Sequence, residues 1–142
     1  MIDGETHVAF VCVQNAGRSQ IATAYAERER EARGLTDAVV IHTGGTHPAD
    51  AVHDIVREAM GEEGIDLADR EPQRIADETL ESCEYVATMG CSTLKLEAET
   101  DVRDWDLPDP HGEDFETVHE IREEIRTRVE SLFDEIDATR DE

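Results

Sequence analysis

The sequence predicts an α/β domain, a three-layer sandwich in which a four-stranded parallel sheet is covered by helices on both faces. Three observations carry this. Short apolar runs alternate with helical segments along the chain. The first run, residues 7–13, is almost continuously apolar, as in a strand buried on both faces. No linker, internal repeat or low-complexity segment divides the 142 residues, so a single domain over 1–142 is expected.

The elements follow in order. The first strand is centred on Val8, Ala9, Phe10 and Val11. A helix begins near Ser19, with Ile21, Ala22, Tyr25 and Ala26 at helical spacing, and Gly34 stops it after about residue 33. The second strand reads 38–41 or slightly beyond, and the segment HTGGTHPAD reads as a loop on its glycines, threonines and proline. A second helix covers roughly 51–62, with Val52, Ile55, Val56, Ala59 and Met60 on one side and Gly61 and Gly64 at its end. Pro72 marks a break before a short helix near 75–82. The third strand, 84–88, carries Tyr85, Val86 and Ala87, and a weaker fourth lies around 101–105. Pro108 and Pro110 stiffen the loop DLPDPHG. The last helix spans about 114–136, with Val118, Ile121, Ile125, Val129, Leu132, Phe133 and Ile136 as its apolar stripe. Right-handed crossovers bring the loops after strands one, three and four to one sheet edge.

Composition excludes several partners. Asp and Glu total 36 against 13 Lys and Arg, a formal net charge of −23, and the one lysine is Lys95. A surface this acidic opposes nucleic acid and anionic membranes alike. It suits a salty cytoplasm, where counterions screen its self-repulsion. No apolar run is long enough to span a bilayer, and MIDGETHVAF lacks the pattern of a signal peptide. The three cysteines, Cys12, Cys83 and Cys91, make a poor disulfide framework and point to a reducing compartment. Aromatics are only 4% of the chain, so Val, Ile, Leu and Ala must build most of the core.

The strongest chemical signal is CVQNAGRSQ, Cys12 to Gln20. A cysteine closes a buried strand and an arginine opens the next helix. The loop between them, Val13, Gln14, Asn15, Ala16 and Gly17, can curl so that its N–H groups converge on a tetrahedral oxyanion. Arg18 can add a planar two-donor clamp. The same positive field favours a thiolate at Cys12, with Ser19 as a donor to it and Asn15 as the loop's brace. A cysteine ending a strand is, taken alone, usually a small core residue. Its neighbours make the difference here. The glycine spacing matches neither common nucleotide-binding loop.

CVQNAGRS resembles the signature of low-molecular-weight protein tyrosine phosphatases and of the arsenate reductases that share their fold, and the similarity extends through GTHPAD, TMGC and DWDLPDP. The resemblance implies Cys12 as nucleophile, Arg18 as oxyanion clamp, Ser19 as thiolate donor and Asn15 as loop organiser. It also implies Asp109, in an Asp-Pro pair, as the general acid and then the base that activates water. Trp105 reads as a packing anchor for that loop.

Arsenate and phosphate are both tetrahedral, so the anion loop serves either. NAGRSQIA, GTHPAD and DWDLPDP resemble the reductases more. Where the phosphatases usually carry tyrosines after the Asp-Pro pair, this chain has His111 and Gly112. Arsenate reduction needs a second thiol, and Cys91 is similar in position to the first resolving cysteine of thioredoxin-linked reductases. The chain departs from those enzymes in having no cysteine after Cys91. The resemblance therefore leaves two routes: a Cys12–Cys91 disulfide, or transfer to a low-molecular-weight thiol with a thioredoxin or glutaredoxin-like partner. Cys83 reads as a buried structural thiol on the far side of the sheet. The alternative activity is a phosphatase hydrolysing phosphate monoesters through a phosphocysteine. No tightly bound cofactor is expected. The histidines at 42, 47 and 53 match no firm zinc spacing, and no metal ligands are assigned. The resemblance also admits a potassium ion beside the anion loop, with Asn15 contributing an oxygen and no further ligand assigned.

Overall fold

The computed structural model describes residues 5–67, 70–89, 101–105, 107 and 113–140. Its elements run β1 (Thr6–Cys12), α1 (Arg18–Ala32), β2 (Val39–Gly45), α2 (Asp54–Gly61), α3 (Asp77–Glu81), β3 (Tyr85–Met89), β4 (Asp101–Asp104) and α4 (Phe115–Arg140). The four strands form one sheet in the order β2-β1-β3-β4, and every pairing is parallel. This is the α/β sandwich that the alternation of strand and helix predicts.

β1 is central, and its alternating side chains serve two cores. Val8, Phe10 and Cys12 pack with α1, α2 and α4 through Ile21, Tyr25, Val56, Ile125 and Phe133. Ala9 and Val11 face the other way, against Leu80, Cys83 and Val86. The period of two along a strand therefore assigns Cys12 to the larger helical layer. The chain leaves β1 toward β2 and later returns to β3 on its other side. The carboxyl end of β1 is thus the point where strand order reverses, the usual place for a ligand crevice.

The first nine residues of α1, from Arg18 to Ala26, are all buried, and its exposed side begins only in the later turns. Small residues at Ala22, Ala24 and Ala26 let this helix lie close to the sheet and α4. Arginines tie the outer helices together. Arg33 at the end of α1 reaches Glu29 at 2.9 Å, and Asp134 and Asp137 of α4 at 2.9 and 2.6 Å. Arg122 of α4 is only 3% exposed and donates to the Ala59 carbonyl of α2 at 2.6 Å. A buried guanidinium needs such partners, because stripping its water is otherwise costly.

One expectation is corrected. His42 to Gly45 belong to β2, not to a loop, since the ladder pairs Ala9 with His42 and continues to Cys12 with Gly45. The two glycines oppose a strand locally, and the complete ladder with β1 overrides them. The glycines are there for space. A Cβ on Gly44 would lie 2.5 Å from the Ile75 Cβ. α2 is shorter than its periodicity suggests, because Val52 is buried ahead of the first helical turn. No helix among the described residues is long and apolar enough to cross a membrane.

Candidate active site

The site grows from the last residue of β1 and the first turn of α1. Cys12 is 2% exposed, and its Sγ lies 2.8 Å from Ser19 Oγ. The Asn15 N–H donates to the same sulfur at 3.2 Å. That donor points inward because Asn15 has φ of 52°, in the left-handed region. Asn tolerates this region better than most residues, but the turn still has to be held.

Four hydrogen bonds hold the Asn15 side chain. Its Nδ2 donates to Ser19 Oγ at 2.7 Å and to Thr43 Oγ1 at 2.9 Å. Its Oδ1 accepts from the Gln73 backbone N–H at 3.0 Å and from Gln20 Nε2 at 3.1 Å. A backbone N–H can only donate, so Gln73 fixes which end of the amide is oxygen. Ser19 Oγ therefore accepts from Asn15, and its own proton is free to point at Cys12. With Ser19 as the donor, the chain Asn15 to Ser19 to Cys12 ends on the sulfur, the polarity that a thiolate requires.

This network bears on the potassium ion. Both lone pairs of Asn15 Oδ1 already receive N–H donors. The Asn15 carbonyl also accepts from Gln20, at 3.0 Å. Oδ1 has no lone pair left for a cation and the carbonyl keeps one, so the Asn15 side chain does not fit the role of a cation ligand.

Arg18 is buried, and its Nη1 donates to the Leu107 carbonyl at 2.8 Å, a bond across 89 positions. It joins the anion loop to the segment after β4. Gly17 at the start of α1 makes no side-chain cap bond, and the first turn holds no acidic residue. The positive end of the helix is therefore uncompensated from within. Cys12, Gln14, Gly17, Arg18 and His53 line a small cleft at this point.

The remaining loop residues act through their backbones. The Val13, Gln14 and Ala16 carbonyls accept from the N–H groups of His47, Ala49 and His53 at 2.7, 3.0 and 3.0 Å. The segment after β2 thus clasps the loop from outside. His53 Nε2 also meets Gln14 Oε1 at 3.0 Å. Sequence reasoning gives no site role to His53, Gln20, Thr43, Gln73 or Gly45. Only proximity in the fold reveals them, since none lies in the Cys-to-Ser signature. Gly45 has a geometric reason, because a Cβ there would sit 2.5 Å from the Val13 carbonyl oxygen.

Cys91 and Asp109 lie outside the described residues. Cys83 is buried just before β3, at the opposite end of the strands from Cys12. Burial pushes its thiol up to about 11, with Glu84 adding to the shift. Trp105 is buried against Phe10, ring centroids 5.9 Å apart, as a packing anchor. The histidines at 42, 47 and 53 go to separate partners: His7, Thr46 and Gln14.

A family model for low molecular weight phosphotyrosine protein phosphatase matches residues 7–142. The chain belongs to this family. Within the family its similarity lies with the arsenate reductase branch. A provisionally named arsenate reductase of Halobacterium salinarum is 63% identical over 134 residues, which are 94% of each chain. The thioredoxin-dependent arsenate reductase of Corynebacterium glutamicum superposes with a TM-score of 0.80 at 32% identity, over 98% of this chain. This chain spans 65% of the length of that one. An arsenate reductase in its phosphate-binding state gives a TM-score of 0.78 at 25% identity, over 92% of this chain and 98% of that one.

Proposed function

We propose that this protein is an arsenate reductase working by thiol chemistry at Cys12. The observation that carries the reading is a buried sulfur that accepts from Asn15 N–H and faces Ser19 Oγ, beside a buried arginine at a helix start. Similarity to proteins named arsenate reductases supports the choice of oxyanion.

In this mechanism the Cys12 thiolate attacks arsenic(V) and a hydroxide leaves, protonated to water. Arg18 and the first N–H groups of α1 neutralise the oxygens that remain. A second thiolate, Cys91 or an external thiol, then attacks the Cys12 sulfur. An S–S bond forms, the S–As bond breaks, and its electron pair stays on arsenic as arsenite. A thioredoxin, a glutaredoxin-like protein or a small thiol reduces the disulfide. Arg18 holds the Leu107 carbonyl beside the cleft, and Asp109 follows Leu107 by two positions in the sequence, which supports Asp109 as the proton donor. A reducing, salt-rich cytoplasm suits both the free thiols and the acidic surface.

The second reading is a phosphatase. It is favoured by the absence of any cysteine after Cys91, since ester hydrolysis needs only Cys12, Arg18 and the acid.

A paired assay at high salt tests both readings, following arsenate-dependent thiol oxidation and aryl-phosphate hydrolysis on the same preparation. Cys12→Ser abolishes both. Asp109→Asn slows hydrolysis of a poor leaving group by about 100-fold or more. Cys91→Ser spares hydrolysis and cripples arsenate reduction when Cys91 is the resolving thiol. A peptide map after one turnover without reductant then contains a Cys12–Cys91 disulfide. Robust hydrolysis with no arsenate reduction under any donor gives the case to the phosphatase.

A further inference from the structure

We infer that Gln20 is a positioning residue for the anion loop, and that its amide hydrogens set the geometry of the Cys12 sulfur without help from a metal ion. The inference rests on Cys12 and the loop as the working site, as in the proposed function, but not on which oxyanion is turned over.

Gln20 sits in the first turn of α1 and is 1% exposed. Its Nε2 donates to the Asn15 carbonyl at 3.0 Å and to Asn15 Oδ1 at 3.1 Å. Two hydrogens thus meet two acceptors of one residue. The orientation of this amide is forced, because Asn15 Oδ1 is identified as oxygen by the Gln73 N–H it accepts. Reversing the Gln20 amide would set its oxygen against two other acceptors.

The arrangement has a cost that shows in the structure. Gln20 Oε1 is buried and has no hydrogen-bond partner among the described residues. Buried polar atoms are nearly always paired, so an orphan implies that the opposite end of the amide is constrained more strongly. That opposite end braces the residue whose positive φ aims an N–H at Cys12 Sγ. Gln20 therefore reaches the sulfur through Asn15 along two paths, one through the backbone turn and one through Asn15 Nδ2 and Ser19 Oγ. A cation could pull the same two oxygens together. Here the amide hydrogens already do so, and the site should be indifferent to which monovalent cation is present.

The test reads Cys12 without using turnover. The purified full chain is alkylated with iodoacetamide, Cys12 modification is followed by peptide mass, and inorganic phosphate is titrated as a protectant. Gln20→Met keeps the length and volume of the side chain but has no donor. The phosphate needed for half-protection should rise about tenfold in it, and further in Gln20→Glu, where an acceptor replaces the donor. Wild-type protection should be equal in potassium, sodium and tetramethylammonium chloride at matched ionic strength. The Gln20 side-chain amide of the wild type should exchange its hydrogens slowly with solvent by NMR. Unchanged protection in either variant overturns the inference, as does potassium-dependent protection or a fast-exchanging amide. The last two measurements use only wild-type protein, so they decide the matter even where a variant fails to fold. Failure to reduce arsenate would refute the proposed function and leave these outcomes untouched.

Discussion

Gly45→Ala should damage the site without replacing any residue that contacts substrate. A Cβ at Gly45 would lie 2.5 Å from the Val13 carbonyl oxygen, 3.0 Å from the Asn15 nitrogen and 3.1 Å from the Cys12 carbonyl oxygen. All three are backbone atoms of the anion loop, so no flexible side chain can swing aside. Opening the first contact even to 3.0 Å takes a displacement of about 0.5 Å. The segment after β2 cannot simply retreat. Its N–H groups at Thr46 and His47 are bonded to the carbonyls of Cys12 and Val13 at 3.2 and 2.7 Å. Overpacking of this kind costs about 1–3 kcal/mol of stability. A misplacement near 1 Å in a catalytic constellation costs about 100-fold, so half that shift should lower kcat/KM about tenfold. The assay is kcat/KM with either oxyanion substrate beside the thermal midpoint. Gly61→Ala serves as the control, because a Cβ there meets nothing within 4 Å and the position lies in α2. It should keep full activity and match or exceed wild-type stability. Wild-type kcat/KM and midpoint in Gly45→Ala would refute the claim that this contact fixes the loop.

Other outcomes follow from the same geometry. Arg18→Lys should cost about 100-fold or more in kcat/KM for either substrate, because a point charge cannot hold both the Leu107 carbonyl and an oxyanion as the planar fork does. Cys83→Ser should keep both activities, and native wild-type protein treated with iodoacetamide near neutral pH should carry no label at Cys83, whose buried thiol stays protonated. His42 titrates below its ordinary range because burial, and then the charge of the stacked His7, disfavour its protonated form. The unfolded chain therefore binds the extra proton first, so this contribution to stability is intact above the usual histidine range and is lost as pH falls through it. His42→Phe should keep the ring stack and flatten the loss of stability between about pH 7 and 5 in denaturant titrations. An unchanged slope in that window would show that His42 does not contribute.

Local patterning was enough to read the number and order of the elements. Each strand of this sheet is a short run with its own composition, and the stripes of α2 and α4 are visible within the segments themselves. The signature from Cys12 to Ser19 was legible for a related reason. Its residues are close in sequence, and the strand, loop and helix that position them are written into the same stretch. The β2 boundary failed because Gly44 and Gly45 carry a local loop signal, whereas the ladder with β1 and the space beside Ile75 and Val13 are long-range facts.

The sequence alone determined that a thiol and an arginine flank a loop built for an oxyanion, and that the sheet is parallel with helices on both sides. Only the tertiary structure decided what holds the loop in shape. Thr43 arrives from β2, Gln73 from the chain before α3, Leu107 from beyond β4 and His53 from the entrance to α2. These residues are 28 to 89 positions away from their partners in the loop. Separations of that size carry no periodicity, and a hydrogen bond between them is specified by strand order and register, which the packing of the whole chain fixes. The same holds for Gln20, which lies within the stretch that was read. Its meaning as a donor to Asn15 depends on the left-handed turn at Asn15, and that turn exists because the folded chain surrounds it with partners.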